Sequence, residues 1–461
     1  MRHLGMLEAQ IFAGLGVKPV WDRGGRVVDL ELIPLSELGR PRFDTVISLT
    51  GLYRDQFPNL IERFNQAIVM VAEQDEPAAM NPIRANTRQV LQRLLELGYP
   101  EDQAHNLALT RVFGTESGDY GTQLPEATLA SDKWEADDNQ LAELYLSRMS
   151  WAYGPDPSQW SQKPAAINGQ VLNLYAEQLK GTQAAVFSRS SNLRGLLDTD
   201  HPFEYLGGIS LAVQHLDGAA PQLYIANLRD PNRAKLQSAE RFLANELRAV
   251  YQHPNWLAEM QKEGYAGTLE LLNTINNFWG WQVMDERMAR DDQWEEFHQT
   301  YIKDKYDLSL KEWFEQSNPA AMAQIAERML EAVRKDYWDA SEQTKQELVE
   351  LYQELAAQHD IYTSNETFKA YVAELAAGYG LAGVAPAVAE AAAHPEPTDP
   401  VEAETSNSPL EQVKGQEMAE IAPAEPVETD LYWLWALCIL IGLGAAYQAM
   451  LGRRQRIFIG E

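Results

Sequence analysis

Residues 189–208 read RSSNLRGLLDTDHPFEYLGG and carry more chemical information than any other part of the chain. Four ionisable side chains surround an Asp-x-Asp turn that is followed by a proline: Asp198, Asp200, His201 and Glu204. If this turn opens a helix, carboxylates two and four positions apart can converge on one point. A group of this kind can bind a cation or transfer protons.

The same residues also have a purely structural interpretation. Asp200 can act as the N-cap of a helix, with Pro202 in the first turn and Glu204 near the N3 position. This interpretation leaves Asp198 and His201 unexplained. Both interpretations therefore remain open for the sequence alone.

A second candidate segment, residues 111–122, reads RVFGTESGDYGT. Its glycines free the backbone for close approach to a ligand. Its polar side chains, Ser117 among them, lie between these glycines. The alternative is a surface turn, which is the usual structure of such a stretch.

These two segments, together with GYAG at 264–267 and NNFWGWQV at 276–283, resemble the CobN-type large subunit of cobaltochelatase. They are similar, more weakly, to the H subunit of magnesium chelatase. The resemblance runs from about residue 4 to about residue 358. It covers only a carboxy-terminal portion of the family's large subunit, so the chain is expected to be a split subunit or a fragment.

The patterns and the resemblance together predict an α/β fold, a mixed α/β chelatase-type body with a mainly helical carboxy-terminal part. The α/β part is assigned to residues 1–235, as an amino-terminally incomplete domain, and its helical part to 236–381. Two extended runs in 17–33 predict a hairpin. Apolar spacing predicts helices at 59–73, 82–97, 269–278, 320–335 and 342–358. Gly98 is the expected stop of the second of these helices.

The resemblance implies that the chain binds a tetrapyrrole and a divalent metal, cobalt or magnesium, as substrates. Asp198, Asp200 and Glu204 are then the expected metal ligands and catalytic carboxylates, with His201 as a further proton acceptor. The expected tetrapyrrole-binding residues are Arg111, Ser117, Tyr120, Gly121, Arg189 and Asn192. Partner AAA+ subunits, and not this chain, are expected to bind and hydrolyse ATP.

Composition and absent motifs exclude several functions. The formal net charge of −29 argues against nucleic acid as a partner, because phosphate binding needs clustered Lys and Arg. The sequence has no G-x-x-x-x-G-K-[ST] loop, H-E-x-x-H motif or G-x-S-x-G motif. Its one cysteine, Cys438, excludes intramolecular disulfides and Cys-rich zinc sites.

The carboxy-terminal end predicts a membrane anchor. Residues 431–452 include no charged residue over 22 positions, which is long enough to span a bilayer core of about 30 Å. Arg453, Arg454 and Arg456 follow, and by the positive-inside rule the basic tail 453–461 is cytoplasmic and the body extracytoplasmic. Residues 382–430 are acidic and rich in Pro and Ala, which predicts a disordered linker.

The sequence thus predicts the carboxy-terminal portion of a CobN-like chelatase subunit, which inserts cobalt into a corrin precursor with partner subunits and is inactive alone. One alternative is a membrane-anchored tetrapyrrole dechelatase. Another is a non-catalytic haem- or cobalamin-binding protein of uptake and salvage. Absorbance titration with tetrapyrroles separates binding from non-binding, and metal release or insertion over time separates a catalyst from a carrier.

Overall fold

A computed structural model describes residues 5–136, 138–167, 169 and 172–381. The predicted linker, anchor helix and basic tail, residues 382–461, lie outside the described residues. Within the described ranges, no helix combines the length and the apolar character that crossing a bilayer requires. The membrane anchor therefore stays a prediction from the sequence.

Helices dominate the described residues. They are α1 Met6–Leu15, α2 Leu35–Leu38, α3 Gly51–Gln56, α4 Pro58–Ala72, α5 Pro82–Leu97, α6 Glu101–Leu109, α7 Leu124–Leu129, α8 Gln140–Arg148, α9 Leu174–Leu179, α10 Gly208–Asp217, α11 Ala239–Glu246, α12 Pro254–Lys262, α13 Tyr265–Met284, α14 Asp291–Phe297, α15 Leu310–Ser317, α16 Pro319–Arg334, α17 Glu342–His359 and α18 Glu366–Gly378. Three π-helical turns, Phe203–Gly207, Leu247–Tyr251 and His298–Ile302, adjoin α10, α11 and α14.

The strands form three small sheets. They are β1 Val17–Trp21, β2 Val27–Leu32, β3 Ile47–Ser48, β4 Val112–Gly114, β5 Trp151–Ala152, β6 Ala184–Arg189, β7 Gln222–Asn227 and β8 Lys235–Ser238. β1 and β2 pair as an antiparallel hairpin, which confirms the hairpin predicted in 17–33. In the other two sheets, ordered β3-β4-β5 and β6-β7-β8, the first two strands are parallel and the third is antiparallel.

The predicted mixed α/β body is confirmed, with helices forming most of it. The helices expected at 59–73, 82–97, 269–278, 320–335 and 342–358 correspond to α4, α5, α13, α16 and α17. α5 ends at Gly98, whose positive φ of 97° is the left-handed conformation that terminates a helix. The domain bounds assigned from the sequence stay predictions.

Helix α13 forms the centre of the larger hydrophobic core and is buried along most of its length. Trp279 and Trp281 are fully buried, so they pack inside the protein and line no open surface. Between them, Gly280 faces the ring of Phe203, and a Cβ there would lie only 2.6 Å from the ring carbon Cζ. The missing side chain thus lets α13 approach the π-helical turn Phe203–Gly207 closely.

We expect Gly280→Ala to lower the free energy of unfolding by about 1–3 kcal/mol, because the added methyl group overpacks this contact. Phe203 is only 2% exposed, so its ring cannot relieve the contact by turning into solvent. Urea denaturation of the full-length chain measures the loss.

Gly378→Ala is the matched control, because a Cβ on this helical glycine of α18 would meet no heavy atom within 4 Å. It should leave the stability unchanged or raise it by up to about 1 kcal/mol. Equal losses in the two variants would contradict the close contact between α13 and Phe203.

Candidate functional site

The two segments selected from the sequence meet at Glu204. This side chain is 3% exposed, and its Oε1 accepts a hydrogen bond from the backbone N–H of Thr122. Gly121 lies beside it with φ +97°, and a Cβ there would lie 3.2 Å from Glu204 Oε1. Residue 121 therefore needs glycine for its backbone conformation. The loop after β4 thus contacts the helix that follows β6 directly.

Asp200, His201 and Glu204 form a three-residue group at the start of that helix. One potential ligand atom from each lies within 4.8 Å of the other two. Asp200 Oδ1 and His201 Nδ1 are 2.8 Å apart. Glu204 is buried, Asp200 half-buried and His201 exposed, so the group has one side within the protein and one side open to solvent. Two carboxylates and an imidazole are suitable ligands for a divalent cation.

The three pKa shifts have different causes. The hydrogen bond with His201 lowers the pKa of Asp200, and the same bond raises the pKa of His201. Burial raises the pKa of Glu204. Asp200 is therefore the more readily ionised of the two carboxyl groups, and Glu204 is the better proton acceptor.

The fourth residue of the predicted set, Asp198, makes different contacts. Its Oδ2 accepts a hydrogen bond from the backbone N–H of Gly195 at 2.7 Å, and its Oδ1 accepts one from the hydroxyl of Tyr251 at 2.6 Å. Asp198 therefore closes the turn that precedes the three-residue group. Its predicted role as a metal ligand stays a prediction.

Two residues that the sequence analysis missed hold this turn. The backbone N–H of Leu196 donates to Glu246 Oε2 at 2.7 Å, and that of Leu197 donates to the hydroxyl of Tyr251 at 3.1 Å. These contacts join positions about fifty residues apart, and nothing in the local sequence pattern indicates them. Glu246 and Tyr251 thus fix the backbone that leads into the three-residue group.

Two arginines, Arg54 and Arg148, hold the glycine-rich loop in place. Arg54 is buried, and its Nη1 donates to the carbonyl oxygens of Thr115 at 3.1 Å and Glu116 at 2.6 Å. Arg148 binds the carboxylate of Asp119 and the carbonyl oxygen of Gly121. The loop is therefore held mainly by side chains that reach across to it.

Of the predicted tetrapyrrole-binding residues on this loop, Ser117 and Tyr120 are exposed and Gly121 is half-buried. Tyr120 is 60% exposed, and its hydroxyl donates to Asp55 Oδ2. Ser117 lies in an exposed turn, where its backbone N–H donates to Ser161 Oγ at 2.6 Å. Tyr120 and Gly121 lie on the part of the loop that adjoins Glu204, whereas Ser117 lies further along it.

The structure separates Arg111 from this group. Its side chain is fully buried, with Nε 2.8 Å and Nη2 3.2 Å from the two carboxylate oxygens of Asp44. Nη1 donates to the carbonyl oxygen of Ala108 at 2.8 Å. A guanidinium engaged in this way inside the protein is not available to an external carboxylate, so this geometry does not support the predicted role of Arg111 in tetrapyrrole binding.

Arg189 and Asn192 lie at the carboxyl end of β6. Arg189 is partly buried, and burial lowers the pKa of its guanidinium. Asn192 is exposed at the rim of a cavity of about 550 Å³, which Asp198 and Tyr251 also line. The crevice outside the carboxyl ends of parallel strands is a common position for ligands in α/β proteins.

Comparison with known proteins finds similarity to subunits of metal chelatases. Residues 1–345 match the family described as CobN/Magnesium Chelatase. The chain is 33% identical over 340 residues to the aerobic cobaltochelatase subunit CobN of Pseudomonas aeruginosa, covering 73% of this chain and 26% of that protein. It is 32% identical over 351 residues to the chloroplastic magnesium-chelatase subunit ChlH of Oryza sativa subsp. japonica, covering 75% and 24%.

A solved structure is also similar. The catalytic subunit of cobaltochelatase from Mycobacterium tuberculosis matches with a TM-score of 0.67 and 28% sequence identity, over 76% of this chain and 28% of that chain. The chain therefore spans about a quarter of the length of the relatives it matches.

We expect Glu204 to make the stability of the chain depend on pH. Because burial raises its folded-state pKa, this carboxyl favours the folded state below its ordinary pKa of 4.5, and the contribution is lost as the pH rises through the raised value. Glu204→Gln keeps an oxygen for the Thr122 N–H without a charge to bury. The melting temperature of the variant minus that of the unsubstituted chain should therefore be larger at neutral pH than at about pH 4.

Differential scanning fluorimetry with EDTA present measures this difference. Glu126→Gln is the control, because this side chain of α7 is exposed, and its effect should show no such trend. A Glu204→Gln difference that is constant with pH would contradict the burial of an ionisable group at this position.

Proposed function

The chain belongs to the CobN/magnesium chelatase family, and from this premise we propose that it is the part of a chelatase large subunit that binds the metal and accepts the pyrrole protons. The observation that carries the proposal is the group formed by Asp200, His201 and Glu204 beneath the glycine-rich loop. Insertion of a metal into a tetrapyrrole requires a hydrated cation to lose water and two pyrrole nitrogens to lose protons. Carboxylates can serve both steps.

We assign the roles from burial and pKa. Asp200, half-buried and readily ionised, binds the incoming cation together with the exposed His201. Glu204, whose pKa is raised by burial, accepts a pyrrole proton more readily than an exposed carboxylate does. Asp198 and Tyr251 keep the preceding turn closed, so they position the group.

The tetrapyrrole is proposed to lie against the exposed side of this group. Tyr120 presents an exposed ring on the glycine-rich loop next to Glu204, and Gly121 keeps the backbone there free of a side chain. Arg189 and Asn192, at the carboxyl end of β6, are proposed to bind acidic substituents of the macrocycle. Ser117 is a more distant candidate on the same loop.

Cobalt is the proposed metal. Mg²⁺ prefers ligands that are all oxygen, whereas an imidazole nitrogen among the ligands favours later divalent metals. The exposed His201 in the group therefore supports Co²⁺ as the substrate, with a corrin precursor as the ring that receives it.

Partner subunits complete the proposed activity. The chain has no nucleotide-binding loop, so AAA+ subunits are proposed to supply ATP hydrolysis. The rest of a CobN-type large subunit is proposed as a second partner, since the chain spans about a quarter of the relatives it matches. The anchor predicted at residues 431–452 is part of the same proposal.

We expect the double variant Asp200→Asn, Glu204→Gln to lower the rate of ATP-dependent cobalt insertion by at least about 100-fold in the reassembled complex, because both substitutions remove the charge that binds metal and accepts protons. The melting temperature at neutral pH should not fall, since Glu204→Gln removes a buried charge and Asn caps a helix nearly as well as Asp. Insertion is measured by the absorbance change of the tetrapyrrole, and the full-length chain alone should show none.

Asp102→Asn, an exposed position in the first turn of α6, is the control and should keep full activity. Asp200→Ala separates capping from chemistry, because a cap that is lost costs about 1 kcal/mol of stability. Full activity in the double variant would remove these carboxylates from the site. Tetrapyrrole binding without insertion by the complete complex would favour a carrier, and release of metal from a loaded ring would favour a dechelatase.

A further inference from the structure

The sheet formed by β6, β7 and β8 has one covered face. Ala185, Leu223 and Ile225 point to this face and are 6%, 2% and 0% exposed. Helix α11 packs against β7 and β8, and the π-helical turn Phe203–Gly207 lies against β6. This side of the sheet is an ordinary layer of the larger core.

The opposite face of the sheet is open and uncharged. The strand register pairs Val186 with Tyr224 and Ala226 with Leu236, so these side chains share one face, on which Ala226 of the central strand is buried and Tyr224 is half-buried. Val186 is 45% exposed and Leu236 is 60% exposed. The other strand residues on this face are Ala, Ser and Gln, in a chain in which 23% of residues are charged. We call this surface the open face.

Two further features adjoin the open face. The strand β6 is at the edge of the sheet and contains no proline and no charged residue before Arg189. Leu193, in the loop four residues after β6, is 88% exposed. Exposed edge strands of soluble proteins are usually protected by charges, prolines or bulges, and this one has none of these along most of its length.

Such a surface is characteristic of an interface. Purely parallel sheets are covered by helices on both faces, and this mixed sheet contains one parallel pair, β6 and β7. Exposed apolar surface that is free of charge marks a site of protein association. The exposed apolar side chains Val186 and Leu236 therefore make the open face a candidate contact for a further layer.

We propose that the open face binds the part of the family's large subunit that this chain does not contain, through an apolar helical layer of that part. The relatives are about four times as long as the matched region, which covers 26% and 24% of their lengths. They therefore hold enough additional chain to supply the layer. This inference rests on the proposed function, since it names the surface for one of the partners proposed there.

The test measures binding between the purified full-length chain and the cognate amino-terminal portion of a CobN-type large subunit, expressed as a separate polypeptide. Val186→Lys with Leu236→Lys should weaken the complex at least about tenfold, because two charges would then be buried in an apolar contact. Both side chains are exposed in the free chain, so its melting temperature should stay the same. Leu95→Lys, at a 43% exposed position on α5, is the matched control and should bind normally.

Equal binding by the double variant and the unsubstituted chain would overturn the assignment of this face. So would failure of the unsubstituted chain to bind the partner. A homodimer of the unsubstituted chain that the double variant converts to a monomer, with no competition from the partner, would assign the face to a second copy and also overturn the proposal. A complex that forms through this face and inserts no metal would count against the proposed function and leave the interface in place.

Discussion

The hydrogen bond from the Thr122 N–H to the buried carboxylate of Glu204 determines the geometry of the whole candidate site. It joins the loop after β4 to the helix after β6, two segments more than eighty residues apart in the chain. Arg54 and Arg148 hold the loop on one side of this bond, and Glu246 and Tyr251 hold the turn before the helix on the other. Without the bond, the glycine-rich loop and the three-residue group would be two separate surface features.

Much of the fold could be predicted from the sequence where the signal is local. Helices such as α4 and α5 follow directly from apolar spacing, and Gly98 marks the end of α5. β6 was not predicted, because one of its faces is buried and the other is uncharged, so apolar and polar residues do not alternate along it. Residues 44–49 contain only the two-residue strand β3, because strand formation depends on the partners that a segment finds.

In the candidate site too, local features could be predicted from the sequence and long-range contacts could not. Asp200, His201 and Glu204 are close in sequence at the start of one helix, so their convergence could be predicted from spacing. The contact between Arg111 and Asp44 could not be predicted, because a guanidinium that binds a substrate carboxylate and one that binds Asp44 look identical in a sequence. The contribution of Tyr251 depends on chain folding over about fifty residues, which no local pattern records.

Close packing behind the helix makes the three donors of the group unequal in freedom of movement. A Cβ at Gly207 would lie 2.7 Å from Met284, and one at Gly208 would lie 2.4 Å from the ring of Tyr145. The backbone next to Glu204 is therefore closely packed, whereas Asp200 is half-buried and His201 is exposed. A metal ion bound as proposed would have one closely packed ligand, Glu204, and two ligands nearer the solvent that could stay in contact with it as it leaves. This inequality suits transfer of an ion to another molecule, whereas permanent storage would favour three immobile ligands.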